Sequence, residues 1–372
     1  MIPFVSRRSL LGGIGVCIVS GCHSDDVVSP DDFATSSPVS EPSAIPGPGY
    51  ALLFTNMGAG ESVDGKSGAV LITDPQGTSV TNVSFTPEEQ STITSSGTEL
   101  VWLGHDRIWR WGHSLESWPA PFEYGATQAV EVHDERVLLS INGYQTDDAY
   151  RWAFAIVDGA GARTWEVPRV VTEGVAWVEN RVYGFAGTDI AESSSTLTEL
   201  GPDPSLATFG PTVPNDALWG VTGWDNNVVA LTANEKGAAQ LVILSPSTQA
   251  VRSVGLSGLS QTAVRSWATG SRGPDGLVTI GGLLYWISDD HLWEVDPVDG
   301  IVSELRPLTT TARWLLDATG LYSLHFTDLP DGRRSWSVSH FDPTTGETVA
   351  TLENLIMNGP RDLWLQNVTR VG

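Results

Sequence analysis

LWEVDPVDGIVSEL, residues 292–305, is the stretch on which the reading of the fold turns. Apolar strand residues run into a turn that opens with Asp296-Pro297 and closes at Gly300, and a second strand follows. In such a turn the Asp carboxylate accepts from the backbone, Pro presets its own φ, and Gly relieves the exit. The unit recurs as VLITDPQGTSVTNV (70–83), FAIVDGAGARTWEV (154–167), LVILSPSTQAVRSV (241–254) and SHFDPTTGETVATL (339–352). The chain is therefore an internal repeat.

The turns at Asp74, Asp158, Ser245, Asp296 and Asp342 lie 84, 87, 51 and 46 residues apart. Two gaps are about double the others, so each hides a degenerate copy: RIWRWGHSLESWP (107–119) and TLTELGPDPSLATF (196–209). Seven copies then share residues 50–372 at about 46 residues each, the period of a four-stranded propeller blade. VLIT, FAIV and LVIL are continuously apolar, which suits strands covered on both faces by neighbouring sheets. Two further strands precede each turn, as in QAVEVHDERVLLSINGY (128–144) and ARWLLDATGLYSLHF (312–326).

The first copy shows only three strands, at about 50–56, 67–74 and 78–85, while RDLWLQNV (361–368) stands alone at the end. Lending that strand to the first blade seals the ring and leaves no open sheet edge. The expectation is an all-β, seven-bladed β-propeller of four-stranded antiparallel blades closed by the C-terminal strand. LVWLGHDRIW (100–109) aligns with LYWISDDHLW (284–293), which makes 257–275 an unusually long connection.

Composition narrows the partners. Acidic residues outnumber basic ones by 44 to 20, giving a net charge of -24, so a nucleic-acid backbone is excluded as a partner for want of clustered cations. Such charge keeps a surface soluble and self-repelling, and a monomer is expected. Both cysteines, Cys17 and Cys22, lie near the N-terminus, so no disulfide staples the repeat region.

Residues 1–22, MIPFVSRRSLLGGIGVCIVSGC, combine Arg7 and Arg8, an apolar run over 10–19, and small residues before a cysteine. The run is too short to span a bilayer. This segment resembles a bacterial lipoprotein export signal, with Val19-Ser20-Gly21-Cys22 at the lipobox, and Ser6-Arg7-Arg8-Ser9-Leu10-Leu11 is similar to a twin-arginine motif. The resemblance implies cleavage after Gly21, acylation of Cys22, and anchoring to the outer face of the bacterial cell membrane or the periplasmic side of the envelope, the anchor being the only contact with membrane. Three segments follow: 1–21 as export signal, 22–49 as acylated Cys and a Pro/Ser-rich linker, and 50–372 as the propeller. Pro30, Pro38, Pro42, Pro46 and Pro48 keep that linker extended, and it holds too little apolar surface to fold alone.

The Asp-Pro-x-x-Gly turns followed by Val/Thr-rich strands, as in HFDPTTGETVATL (340–352), resemble the repeats of bacterial quinoprotein-type and YVTN-type propellers. Quinoprotein repeats place a Trp after the Gly to dock the next blade, and Trp165 is the nearest counterpart here. No cofactor is expected.

The candidate binding residues lie in the loops joining second to third strands, which emerge on one face of the disc. Each loop is acidic: Glu61 and Asp64, Asp106, Asp147 and Asp148, Asp189 and Glu192, Glu235, Asp289 and Asp290, Asp328 and Asp331. His105 adjoins Asp106, and His291 adjoins Asp290. Of these, His105, Asp106, Asp148, Asp290 and His291 are the residues singled out. Converging carboxylates and imidazoles would hold Ca²⁺ or a transition metal, or receive a cationic ligand; solvated turn acids are the plainer alternative. Trp177, Trp219, Trp314 and Trp364 fall on innermost strands, placed either to stack on a sugar or to fill the wedge between blades. Nucleophile elbows, zinc-binding His-Glu-x-x-His, EF-hand loops and phosphate-cradling Gly loops are absent from the sequence. The reading that follows is a binding or scaffolding propeller whose partner is a protein, a carbohydrate or a cationic ligand. The alternative is an extracellular enzyme acting on carbohydrate or a small ester at the channel mouth.

Overall fold

A computed structural model describes residues 44–45, 47–56, 68–85, 87, 92–122, 126–133, 135–145, 150–188, 192–201, 208–258, 277–288, 291–309, 311–356 and 363–372. The strands form seven four-stranded antiparallel sheets. Blade 1 comprises β1 (Gly49–Asn56), β2 (Gly68–Thr73) and β3 (Ser79–Phe85), and β28 (Leu363–Val371) is its innermost strand. Blade 2 holds β4 (Ile93–Ser96), β5 (Glu99–Leu103), β6 (Arg107–Trp111) and β7 (Leu115–Pro119). Blade 3 runs β8 (Ala126–His133), β9 (Arg136–Gln145), β10 (Tyr150–Asp158) and β11 (Gly161–Val167), and blade 4 runs β12 (Val170–Val178), β13 (Arg181–Gly187), β14 (Ser194–Gly201) and β15 (Thr208–Pro214). Blade 5 is β16 (Leu218–Trp224), β17 (Asn227–Ala233), β18 (Ala239–Ser245) and β19 (Ala250–Gly255). Blade 6 is β20 (Leu277–Ile280), β21 (Leu283–Ser288), β22 (His291–Val295) and β23 (Val302–Pro307). Blade 7 is β24 (Arg313–Asp317), β25 (Gly320–Asp328), β26 (Arg334–Phe341) and β27 (Thr348–Leu355).

The core explains why the turn-preceding strands are apolar throughout. On β18, Leu241 and Ile243 pack with Trp286 and Trp293 of blade 6, while Val242 and Leu244 pack with Phe185 and Leu197 of blade 4. Alternate side chains thus enter two different interfaces, and neither face meets water. One such apolar cluster joins each adjacent pair of blades. The last of them, with Tyr50, Leu52 and Phe54 against Leu324, Trp336 and Val338, joins blade 1 to blade 7 and completes the circle.

Closure is by β28, paired antiparallel with β1 from Gly49↔Val371 to Asn56↔Leu363. The sequence expectation of a borrowed C-terminal strand holds. Arg370 N–H donates to Tyr322 Oη of blade 7 at 3.1 Å, and Gly372 N–H to the Gly97 carbonyl of blade 2 at 2.9 Å, so this strand ties both neighbours.

Turn chemistry sets the strand connections. Between third and fourth strands, Asp74 Oδ1 accepts from Gln76 N at 2.9 Å and Thr78 N at 2.8 Å, and Asp296 and Asp342 do the same with Val298 and Thr344 at 2.8 Å each. Hairpins between first and second strands use the two positive φ values of type I′ turns: 51° and 64° at Glu179-Asn180, 45° and 58° at Asp225-Asn226. Each of several third-to-fourth turns then lies on the outer strand of the preceding blade. Trp165 on β11 donates its indole N–H to the Leu200 carbonyl at 2.8 Å, beside Gly201 with φ of 127°, and Trp118 on β7 packs beside Gly161 in the same way. Trp165 was the nearest counterpart in the sequence to a docking Trp; Trp118, in the degenerate copy, is a second Trp packed on the next blade.

Candidate functional site

Antiparallel blades give the disc two distinct faces. Connections from first to second and from third to fourth strands share one face; second-to-third loops and the crossovers to the next blade share the other. The chain enters the ring at Gly49, and β28 ends opposite it at Val371, both on the first face. The acidic loops singled out in the sequence emerge on the second.

Of the five singled-out residues, Asp148 and Asp290 lie outside the described residues, as do Glu61, Asp64, Asp147, Asp189 and Asp289. His105 and Asp106 sit in the tight β5–β6 loop, closed by Gly104 N–H to the Arg107 carbonyl at 2.8 Å; the Asp106 carbonyl also accepts from Ala120 N at 2.8 Å. His291 opens β22 with Nε2 3.4 Å from Glu304 Oε1 and its ring 5.9 Å from Trp293. Blades 7 and 1 stand between His291 and His105, so the two imidazoles occupy separate parts of the rim. Glu192 and Asp331 engage their own loops. Glu192 accepts from Thr188 N at 2.9 Å, and Asp331 holds Arg333 at 2.8 Å, which lowers the Asp331 carboxyl below its ordinary range. Among the described residues no group of three or more His, Cys, Asp or Glu side chains is arranged to hold a metal ion.

The four inner-strand tryptophans are on β12, β16, β24 and β28, as the repeat register implies. Trp177 and Trp219 are buried in the inter-blade cores. Trp314 and Trp364 are only half-buried, and each carries an arginine on its face: Arg306 at 5.6 Å and Arg334 at 4.0 Å.

Two partly buried polar assemblies were not singled out by sequence. The first is Glu131 on β8, the innermost strand of blade 3. Its Oε1 accepts from Thr222 Oγ1 at 3.2 Å, and its carboxylate also takes the Gly223 N–H, both on the innermost strand of blade 5. Blade 4 lies between, and its β12 bulges there at Gly174, whose φ is 106° and where a Cβ would press on the Val221 carbonyl at 3.2 Å. That bare glycine keeps β12 close to β16 and brings Thr222 within reach. Protein walls displace water around the carboxyl, so desolvation pushes it up to about 8 against the two hydrogen bonds that favour its charge. These surroundings favour the neutral acid.

The second assembly sits where the ring closes. Asp317 Oδ1 accepts from Thr319 N at 2.7 Å, Thr319 Oγ1 at 2.6 Å and Gly320 N at 3.1 Å, yet burial still raises its carboxyl. His340 Nε2 donates to the Thr319 carbonyl at 3.1 Å, which leaves Nδ1 to accept the Tyr50 hydroxyl at 2.9 Å. Tyr322 stacks on the same imidazole at 4.6 Å, and burial lowers His340 below the ordinary histidine value. Ser95 of blade 2 joins through Thr369 Oγ1 at 3.2 Å. Three blades meet in this network, and its carboxyl, imidazole and hydroxyls are spent on one another.

No protein-family model matches the chain, and no curated protein matches it in sequence. Solved structures do resemble it in fold. Puromycin hydrolase, as an S511A variant complexed with PGG, superposes with a TM-score of 0.50 at 14% identity over 88% of this chain. This chain spans 57% of the length of that hydrolase. A proposed 6-phosphogluconolactonase from Bacteroides uniformis is covered over 99% of its length, at 12% identity and a TM-score of 0.46. Likeness at this level extends to the propeller alone.

Proposed function

We propose that this protein is exported, held to the cell envelope through an acylated Cys22, and works as a binding or scaffolding propeller whose partner meets the face bearing the second-to-third-strand loops. The observation that supports the reading is the polarity of the ring. The chain enters at Gly49 on one face, and the loops carrying His105, Asp106, Glu192, Glu235 and Asp331 emerge on the other. A tether of residues 22–49 attached at the entry face leaves the acidic face turned outward, toward a polar or cationic partner. Glu192 and Asp331 bind within their own loops, to Thr188 and Arg333, and so suit a contact surface better than a reaction centre.

The test is fractionation of cells producing the wild type and Cys22→Ala. The wild type should partition with membranes and take up labelled fatty acid, and the variant should be released in soluble form. Equal membrane retention of both would remove the anchor. Catalysis would be favoured instead if purified protein hydrolysed model glycosides or esters and lost that activity on substitution of Asp106 or Asp331.

A further inference from the structure

Phe326 and Trp336 are cross-strand partners near the end of blade 7 that carries the second-to-third loop, and Asp328 and Arg334 are partners two residues further out. Trp364, near the start of β28, meets them from blade 1. The three rings lie 5.1 Å (Phe326–Trp336), 5.3 Å (Phe326–Trp364) and 5.9 Å (Trp336–Trp364) apart. Arg334 lays its guanidinium 4.0 Å over Trp364 and 5.5 Å over Phe326.

This cation is poorly served by the protein. Its side chain keeps only 22% exposure, and Nε and Nη1 are shut off from solvent without a hydrogen-bond acceptor. Asp328 Oδ1 lies 3.3 Å from Nε, an ion pair lacking hydrogen-bond alignment, and the Asp328 side chain is 71% exposed. Guanidinium donors withdrawn from water and met only by one misaligned ion pair are costly, and a packed native structure rarely retains them without a reason. Beside them Phe326 leaves 44% of its surface in solvent, although it sits on an otherwise well-packed aromatic cluster.

We propose that Arg334, Phe326, Trp364 and Asp328 form a subsite for a carboxylated sugar ring. The planar guanidinium fork matches a carboxylate in bidentate fashion, which a lysine would not do. Phe326 supplies an apolar surface for the C–H face of a pyranose, and Asp328 offers acceptors to its hydroxyls. Arg334 reaches the carboxylate by turning its guanidinium off the rings to present an edge, so occupancy withdraws the cation from the Trp364 indole and changes its emission. With a chain charge of -24 no long-range attraction draws an anion here, so selectivity rests on these short contacts. The inference stands apart from the anchor and survives if Cys22 is not acylated, although its Asp328 belongs to the acidic rim.

The test is a tryptophan-fluorescence titration of the full-length protein with glucuronate and galacturonate, against glucose and galactose as uncharged counterparts. At least one uronate should give a saturable change, with its neutral counterpart weaker by about tenfold or more, and Arg334→Gln and Phe326→Ala should each weaken that uronate by about tenfold. Arg334→Lys keeps the charge but not the fork and should bind as poorly as Arg334→Gln. Melting temperatures near that of the wild type establish that the variants are folded. Absence of saturation with both uronates, equal binding of the neutral sugars, or full affinity in Arg334→Lys would each overturn the proposal.

Discussion

Replacing Glu131 by Gln tests whether an acid is held neutral at the centre of the ring. In the unfolded chain this carboxyl titrates near 4.5, and in the folded protein near 8. Between those values the folded state binds the extra proton, so stability declines as pH rises, and the full penalty is felt above the folded value. At roughly 1.4 kcal/mol per pH unit the whole displacement is worth about 5 kcal/mol. A little over half of that accrues between pH 6 and pH 9.5, and after local rearrangement and entering water have absorbed part, about 2 kcal/mol is expected across that interval. Gln keeps the shape, accepts from Thr222 and Gly223, and cannot ionise. The assay is urea unfolding of both proteins at pH 6 and pH 9.5, taking the difference between them so that every other titrating group cancels. Glu131→Gln should already be the more stable at pH 6, where the unfolded carboxyl is ionised, and its advantage should grow by about 2 kcal/mol at pH 9.5. An unchanged difference across that range would refute the burial of an ionisable group here.

Tyr50→Phe deletes the donor to His340 Nδ1 and should cost about 1–2 kcal/mol in the same denaturation assay. Because His340 is held below its unfolded value, its contribution is complete above about pH 6.5 and fades as pH falls through that range, so the wild-type melting temperature should drop on acidification more steeply than that of His340→Gln. Gly201→Ala places a Cβ against the Trp165 indole at a φ of 127°, and a loss of roughly 2 kcal/mol or more is expected by thermal melting. A chain ended at residue 356 lacks β28 and should show no cooperative melting transition, or should associate through the bared edge of β1; a monomer melting like the wild type would contradict the closure.

The fold was legible because its information is local and repeated. Asp74, Asp296 and Asp342 announce their turns, and strands such as 241–244 announce by unbroken apolarity that two neighbours cover them. Even the closing strand was readable, as the one segment without a partner in its own repeat. The polar assemblies were not. Glu131 stands between Val130 and Val132 in a stretch that reads as an ordinary alternating strand, and nothing nearby announces that Thr222, two blades on, shares its carboxyl. Tyr50 and His340 meet across 290 residues, a distance at which no spacing argument operates. Arg334 was hidden because the Trp364 ring it covers arrives on β28, at the far end of the repeat array. A prompt did exist in the sequence: an acid inside an innermost strand, and an arginine opposite a terminal tryptophan, are both departures from what their positions ask.

The seam between β1 and β28 bears on how the chain reaches its final form. Every other sheet is made of strands adjacent in sequence and can assemble from its own hairpins, but the first cannot be completed until the last has been synthesised. Throughout translation the inner edge of β1 keeps its amide and carbonyl groups unmet, and six wedges accumulate with nothing to stop them opening or docking on another molecule's edge. Maturation therefore has one late, all-or-none event, the joining of two ends separated by the whole repeat array, and misassembly between nascent copies is the hazard that event must outrun.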